Sequence, residues 1–322
     1  MNSLNTNLAF VGATAGDRGT ILRRNGFPEN YIVPGPQFTM AEVNGNNTNA
    51  KYHSMQLQLT RRLTDGFTNT TTWTWSKSMG APMDFIDPNR RNVEKRLQSS
   101  DRMHQFTSNG VYELPVGTGH FLLANAPTWL QQIINKWQLG GIFNYNTGAP
   151  LTITTGATAT TGIGTISNVR AKPNVAGPIP KDFGKVTKTA NGVTYFNGYT
   201  QISDPYVNNV STLNGLRDGF SNKAIMAPNG QVILVNPQPG DLGTLGYTTV
   251  RGPREIRFDM NLVKRFRIHE SKEFEFRLDA INILNTPNFN DPNVNMNGNG
   301  TFGQITAATG ARIFVLNSRI NF

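Results

Sequence analysis

The chain ends in the stretch ARIFVLNSRINF, residues 311–322, in which apolar and polar side chains alternate. One parity carries large apolar residues: Phe314, Leu316, Ile320 and Phe322. The other parity carries Asn317, Arg319 and Asn321. Alternation over this length predicts a strand with two unlike faces. A long C-terminal strand that closes on an aromatic residue is the insertion signature of bacterial outer-membrane barrels, whose strands need roughly 9–11 residues to cross the lipid.

Six more segments alternate in the same way and predict long strands. They span residues 52–63, 67–78, 104–114, 136–145, 255–267 and 272–284. Asp65 and Gly66, between the first two segments, are a strong hairpin signal. We therefore predict an all-β fold: an antiparallel transmembrane β-barrel, with residues 1–322 as one partial barrel domain that supplies about 8–10 strands of a larger barrel.

The connections between these segments are, in chain order, tight, long, medium, very long, tight and long. Outer-membrane barrels have short turns at the periplasmic end and long loops outside. If Phe322 ends in the periplasm, both tight turns, at Asp65-Gly66 and at residues 269–272, fall on the periplasmic side. This agreement requires an even number of extra strands, zero included, within residues 147–253. We predict that this stretch is mostly a long extracellular loop region, with room for an extra strand pair.

Periodicity alone leaves open whether the Phe-rich face meets lipid or the core of a soluble β-sandwich. Two observations favour lipid. The predicted strands are longer than the usual 5–6 residues, and their polar faces carry charges of both signs, such as Arg257, Asp259, Glu275 and Arg277. Such charges can pair across neighbouring strands and face a wet lumen.

Composition excludes several classes of protein. The 322 residues contain no cysteine, which excludes disulfides and thiolate chemistry. No run of apolar residues approaches the length of a transmembrane helix. The net charge of +10 is dispersed among Asn, Thr and Gly, which indicates solvated loops or contacts with anionic lipid head groups, and we expect no nucleic acid partner. The first 30 residues show no secretory signal, so we expect the chain to be part of a longer exported protein.

A short helical pattern, with Trp129, Leu130, Ile133, Ile134 and Trp137, follows Pro127 in the medium connection. Two interpretations are open here: a turn of helix packed on a core, or a helix that lies on the inner membrane interface.

Aromatic residues at strand ends predict an interfacial girdle, formed by Trp73, Trp75, Trp137 and Tyr145. A sugar-stacking surface on Trp73 and Trp75 is the alternative, but their strand parity favours the girdle.

We find no catalytic or cofactor signature and predict no enzyme, no cofactor and no metal site. The chain has no G-x-S-x-G sequence, no P-loop and no dinucleotide fingerprint. The four histidines are scattered without ligand spacing. Asp84, Asp87, Glu94 and Asp101 are acidic residues of one outer loop, but they do not match a calcium-binding loop.

Several stretches resemble the C-terminal barrel half of TonB-dependent outer-membrane receptors, specifically the Oar-like group with a carboxypeptidase-regulatory-like N-terminal domain. The resemblance lies in residues 52–78, 101–119, 137–153, 251–268 and 277–293, together with the last strand.

The resemblance implies a bacterial outer-membrane location and a barrel of about 22 strands. It also implies import of a nutrient ligand bound by the outer loops, with force from TonB delivered through a plug and a TonB-contacting segment that we expect upstream of Met1. The implied partners are outer-membrane lipid, the barrel assembly machinery and TonB. A structural or adhesive outer-membrane protein and a soluble all-β binding domain are the alternatives.

Overall fold

A computed structural model describes residues 49–81, 95–120, 122–155, 172–180, 183–209, 223–237, 243–269 and 272–321, except for the side chains of residues 267–269. Its main feature is one antiparallel sheet. Seven long strands form this sheet: β1 (Ala50–Thr64), β2 (Phe67–Gly80), β4 (His104–Glu113), β5 (Trp137–Asn146), β14 (Glu255–His269), β15 (Lys272–Ile281) and β19 (Ile313–Asn321). They lie side by side in that order, and the short strand β3 (Arg96–Leu97) pairs with the end of β2.

The register aligns the apolar side chains on one face of the sheet. A single row of paired residues crosses six strands: Phe67, Tyr112, Leu139, Leu262, Leu278 and Leu316. Because the side-chain period of a strand is two, a slip of one residue in any pair would turn that strand's apolar set to the polar face. The predicted alternation is therefore confirmed, with one common apolar face.

No other layer of described residues covers this apolar face. Leu59 and Leu316 are 73% and 65% exposed, and Leu57 and Trp75 are more than half exposed. A soluble sandwich would bury such residues against a second sheet. The face is instead one broad apolar surface whose side chains are partly to largely exposed, which is typical of an interaction or membrane surface.

The opposite face is polar and paired. Arg265 lies 2.6 Å from Glu275 on the neighbouring strand, as the predicted cross-strand pairing requires. Arg257 pairs with Asp259, and Arg277 with Asp279, but both of these pairs join residues two apart on the same strand. Such a pair fits within one strand because alternate residues share a face.

The two ends of the sheet differ, and we name them by their connections. The turn end has the β1–β2 turn, the connection through residues 114–136 and the two residues between β14 and β15. Asp65 and Gly66 have φ of 52° and 74°, which confirms the predicted hairpin turn. The β14–β15 connection is shorter than the four residues predicted, since the strands pair as far as His269 and Lys272.

The loop end has the connections 81–103, 147–254 and 282–312, whose described parts fold together. β5 pairs directly with β14 over ten residues, from Trp137 opposite Lys264 to Asn146 opposite Glu255, so no further long strand separates them. Within the described parts of these connections, short strands form four small sheets: β6 (Pro150–Leu151) with β13 (Val250–Arg251), β7 (Asn174–Val175) with β10 (Thr200–Ser203), β11 (Lys223–Met226) and β12 (Val232–Val235), β8 (Thr187–Thr189) with β9 (Gly192–Thr194) and β17 (Gln304–Ile305), and β16 (Asn288–Phe289) with β18 (Ala308–Thr309).

We call the folded parts of the three loop-end connections the loop domain. The buried hydrophobic cluster of the described residues lies in the loop domain and not in the long sheet. Phe196 stacks between Phe183 and Phe302, with ring centroids 4.6 Å apart on each side. Ile153 and Met296 are fully buried in the same cluster.

The edge strands β1 and β19 run in the same direction, from the loop end to the turn end. Pairing them with each other would create a parallel contact. An antiparallel barrel therefore needs an odd number of additional strands between these two edges. One helix, α1 (Thr128–Ile134), lies at the turn end. Among the described residues no helix has the length and apolar character to cross a membrane.

Arginine substitutions on the two faces of β19 test which face meets lipid. Leu316→Arg places a charge on the apolar face, and we expect it to destabilise the folded protein by about 2–4 kcal/mol if that face meets the middle of the bilayer. Asn317→Arg, one residue away on the polar face, is the matched control and should change stability by less than about 1 kcal/mol. Urea unfolding of the protein in lipid vesicles measures both. Equal effects of the two variants would contradict the assignment of the faces.

Candidate functional site

A cavity of about 810 Å³ lies where the polar face of the sheet meets the loop domain. Its wall is mostly polar. It includes four amides, two arginines, two carboxylates and one aromatic ring: Asn144, Asn146, Asn288, Asn290, Arg102, Arg257, Glu255, Asp291 and Phe289.

Two long strands supply one side of this cavity. Asn146 lies opposite Glu255, and Asn144 opposite Arg257, in the β5–β14 register. The Asn146 amide donates to Glu255 at 3.3 Å. Arg257 donates to both oxygens of Asp259, two residues further along β14. Strand pairing therefore fixes these side chains on the polar face of the sheet.

The connection 282–312 supplies the opposite side of the cavity. β14 extends beyond the end of β15, so that one edge of β14 is left without a strand partner and is free to bind this connection. Along this free edge, the backbone N–H of Ile256 donates to the Asn288 side chain at 2.8 Å. The N–H of Ile283 donates to the carbonyl of Phe258 at 2.8 Å. These bonds hold Asn288 and its neighbour Phe289 over the strand ends, and Phe289 also packs against the loop-domain core.

An ion pair with a buried carboxylate stabilises the third side of the cavity. Asp101, whose side chain is fully buried, lies 2.7 Å from Arg251 and accepts a hydrogen bond from the backbone N–H of Ser78. This contact joins the connection 81–103 to strand β13 and fixes the neighbouring Arg102 at the cavity wall. Removing Arg251 would leave the buried Asp101 carboxylate without its ion-pair partner, which costs up to about 3–5 kcal/mol.

Beside the ion pair, the backbones at Gly148 and Gly252 pass close to each other. A Cβ on Gly148 would lie 1.8 Å from the carbonyl oxygen of Gly252. The chain can pass this close only with glycine at position 148.

Asp291 gives the cavity a titratable group. Burial raises the pKa of Asp291, the nearby Arg102 lowers it, and the charge of Glu255 raises it further. Burial also raises the pKa of Tyr195, and Asp291 adds to that effect. The carboxyl of Asp291 thus takes up a proton at higher pH than an isolated aspartate does.

These groups can bind a hydrophilic molecule through many hydrogen bonds. Four amides donate and accept, two arginines donate, and two carboxylates accept. The size falls within the roughly 300–1,000 Å³ of ligand pockets in proteins.

Comparison with known proteins agrees with this architecture. The family model of the outer membrane beta barrel domain matches residues 1–315. The chain belongs to this family. A bacterial outer-membrane location follows, and the soluble all-β alternative is not retained. No curated protein and no solved structure matches the chain.

The predicted insertion strand forms β19 at the edge of the barrel sheet. Phe314, Leu316 and Ile320 lie on the apolar face and are 58%, 65% and 47% exposed. Phe322 lies outside the described residues. An insertion role for this strand stays a prediction.

The four predicted girdle residues all point to the apolar face of the barrel domain. Trp73, Trp75 and Tyr145 lie at the loop end, and Trp137 lies at the turn end. Trp137 and Tyr145 are eight residues apart on β5, roughly 26 Å along the strand at about 3.3 Å per residue. This separation suits two belts at the borders of a tilted apolar band, and the girdle itself stays a prediction.

Trp73 and Trp75 are separated from the cavity by the sheet. Trp73 stacks on His104, with ring centroids 5.8 Å apart. Neither tryptophan lines the cavity, so the two do not belong to the site described above.

Of the four acidic residues considered for calcium, Asp101 is the one that the structure describes. Asp101 is engaged by Arg251. Asp84, Asp87 and Glu94 lie outside the described residues.

The cavity residues were not found from the sequence. Arg102, Asn144 and Asp291 come from three distant parts of the chain. A weak signal was present in the polar parity of β5 and β14, which places Asn144, Asn146, Glu255 and Arg257 on one face.

The raised pKa of Asp291 predicts a pH-dependent effect of Asp291→Asn. The folded state binds the Asp291 proton more tightly than the unfolded state, so ionisation of this group lowers stability as pH rises from the unfolded pKa through the folded pKa. We expect Asp291→Asn to stabilise the protein at pH 7, by less than about 1 kcal/mol for a partly exposed charge, and to have no effect at pH 3. Urea unfolding at both pH values measures the difference.

Glu255→Gln is the second variant for this measurement. Loss of the Glu255 charge removes one cause of the raised Asp291 pKa, so the stabilisation by Asp291→Asn should be smaller in that background. The same gain at pH 3 and pH 7 would contradict the assignment of the effect to ionisation.

Proposed function

We propose that this chain is the barrel portion of a TonB-dependent outer-membrane transporter that binds and imports a nutrient ligand. The observation that carries the proposal is the polar cavity at the loop end, where the lumen face of the barrel sheet meets a folded loop domain. In the proposed orientation, a ligand from outside meets this cavity before it can enter the lumen.

The resemblance to Oar-like receptors supports the same function. The stretches that carry it include residues 251–268 and 277–293, which contribute Glu255, Arg257, Asn288 and Asp291 to the cavity. Binding energy comes from the hydrogen bonds of these polar groups, and specificity comes from leaving some of them unpaired when a wrong ligand enters.

The proposed partners follow from this role. TonB contacts a segment N-terminal to the barrel, the assembly machinery binds the edge strand β19 during insertion, and lipid covers the apolar face. We propose binding without chemical conversion.

An adhesive outer-membrane protein is the second candidate, and the loop domain is the observation that favours it. Its small sheets and its own hydrophobic core form a folded surface that could contact another cell. A transporter needs the cavity, whereas an adhesin needs the outer surface of the loop domain.

A cavity-filling substitution separates the two functions. Asn146→Trp places a large side chain in the cavity, and Asn299→Trp, at an exposed loop position, is the matched control. We expect Asn146→Trp and a tonB deletion to abolish growth of the producing bacterium on the same limiting nutrient, with Asn299→Trp unaffected. The panel of nutrients includes iron chelates, cobalamin and oligosaccharides.

The outcomes discriminate between the candidates. If no nutrient requires both an open cavity and TonB, the transport proposal is wrong. Loss of cell attachment in a strain that lacks the protein, with normal growth on every nutrient, would favour the adhesive function.

A further inference from the structure

The connection through residues 114–136, at the turn end, exposes apolar side chains to an unusual degree. Leu122 and Leu123 are 48% and 58% exposed, and Trp129 and Ile133, one helical turn apart on α1, are 67% and 56% exposed. These four large apolar residues lie within twelve positions of the chain, and we call them together the turn-end patch. Exposed to water, such a patch would favour aggregation.

The interior of this connection is polar, the reverse of a soluble helical turn. Gln131 is the buried residue of α1. Its amide nitrogen donates to the carbonyls of Leu123, Ala124 and Ala126 at 3.0–3.2 Å. Polar contacts therefore hold the connection together while Trp129 and Ile133 point outward. Leu130 and Ile134 are half-buried, as the core-packed interpretation expects, and the exposure of Trp129 and Ile133 favours the interfacial one.

Two contacts place the connection on the apolar side of the sheet. The indole N–H of Trp137 donates to the carbonyl of Ile133 at 2.9 Å. The ammonium group of Lys264 donates to the carbonyl of Asn135. Trp137 and Lys264 are opposite each other in the register and share the parity of Leu139 and Leu262. The C-terminal end of α1, with Ile133 of the turn-end patch, thus adjoins the apolar face of the barrel sheet.

The charges of this connection suit anionic head groups. Residues 114–136 contain no Asp or Glu, and they contain His120 and Lys136. Lys136 is exposed beside the end of α1. An exposed tryptophan in the first turn of a short helix and a cation just after its last turn are typical of an interfacial element, with the ring at the head-group level and the cation at the phosphates.

We propose that residues 122–136 form a membrane anchor that binds the phospholipid leaflet at the turn end, the periplasmic leaflet in the orientation inferred above. Trp129, Ile133, Leu122 and Leu123 insert into the boundary between head groups and acyl chains, and Lys136 meets the phosphates. The occupant is the lipid surface itself, because the patch continues a face that meets lipid in an outer-membrane barrel domain. This anchor is independent of the ligand and of transport.

Site-directed spin labelling tests the anchor, since the chain contains no cysteine. A nitroxide is attached at Trp129→Cys and, as the matched control, at Gln132→Cys, an exposed polar position on the flank of the same helix. The full-length protein is placed in vesicles of phosphatidylethanolamine and phosphatidylglycerol. The collision rates of each label with oxygen, which concentrates in lipid, and with a water-soluble nickel complex are then measured.

We expect the ratio of oxygen to nickel collisions to be several-fold higher at position 129 than at position 132. Equal ratios, with free access of nickel to both, would place the helix in water and overturn the proposal. Low collision rates with both reagents at position 129 would mean that protein, such as another domain or a second copy, covers the patch, and this also overturns it. If Trp129→Cys fails to assemble, Ile133→Cys reports on the same surface.

Discussion

A backbone that crosses hydrocarbon must pair its N–H and C=O groups within the protein, since lipid offers no partner. Strand pairing in a fixed register satisfies this constraint here, and the rest of the structure depends on it. The same register that pairs the backbone aligns Phe67, Tyr112, Leu139, Leu262, Leu278 and Leu316 in one row. Each strand therefore contributes to one apolar face and one polar face. The sheet needs no hydrophobic core, because its apolar face is stable only against an apolar solvent.

The loop domain follows different physics from the long sheet. There the chain buries Phe196, Ile153 and Met296 in a conventional core and closes small sheets around them. The ion pair of Asp101 and Arg251 joins two of its connections at the edge of the barrel sheet. The cavity lies between these two parts of the molecule. Its strand side is set by the membrane register, and its loop side is set by the packing of the loop domain.

The periodic part of this architecture was predictable from the sequence, and the rest was not. Alternation identified the long strands, and Asp65-Gly66 identified a turn because both residues accept positive φ. The loop-domain core escaped prediction because its apolar residues follow no period within a Gly- and Asn-rich stretch. Lys264 was also missed. It interrupts the apolar parity of β14, and the structure accommodates it because its ammonium group reaches the Asn135 carbonyl beside Trp137.

Membrane topology is the central claim, and single-cysteine labelling tests it most directly. Asn191→Cys lies at the exposed tip of the β8–β9 hairpin in the loop domain, and Thr64→Cys lies at the exposed turn end of β1. Intact cells are treated with a maleimide that cannot cross the outer membrane. The account predicts that position 191 is labelled in intact cells and position 64 only after the membrane is opened. Labelling of position 64 in intact cells, with position 191 protected, would contradict it.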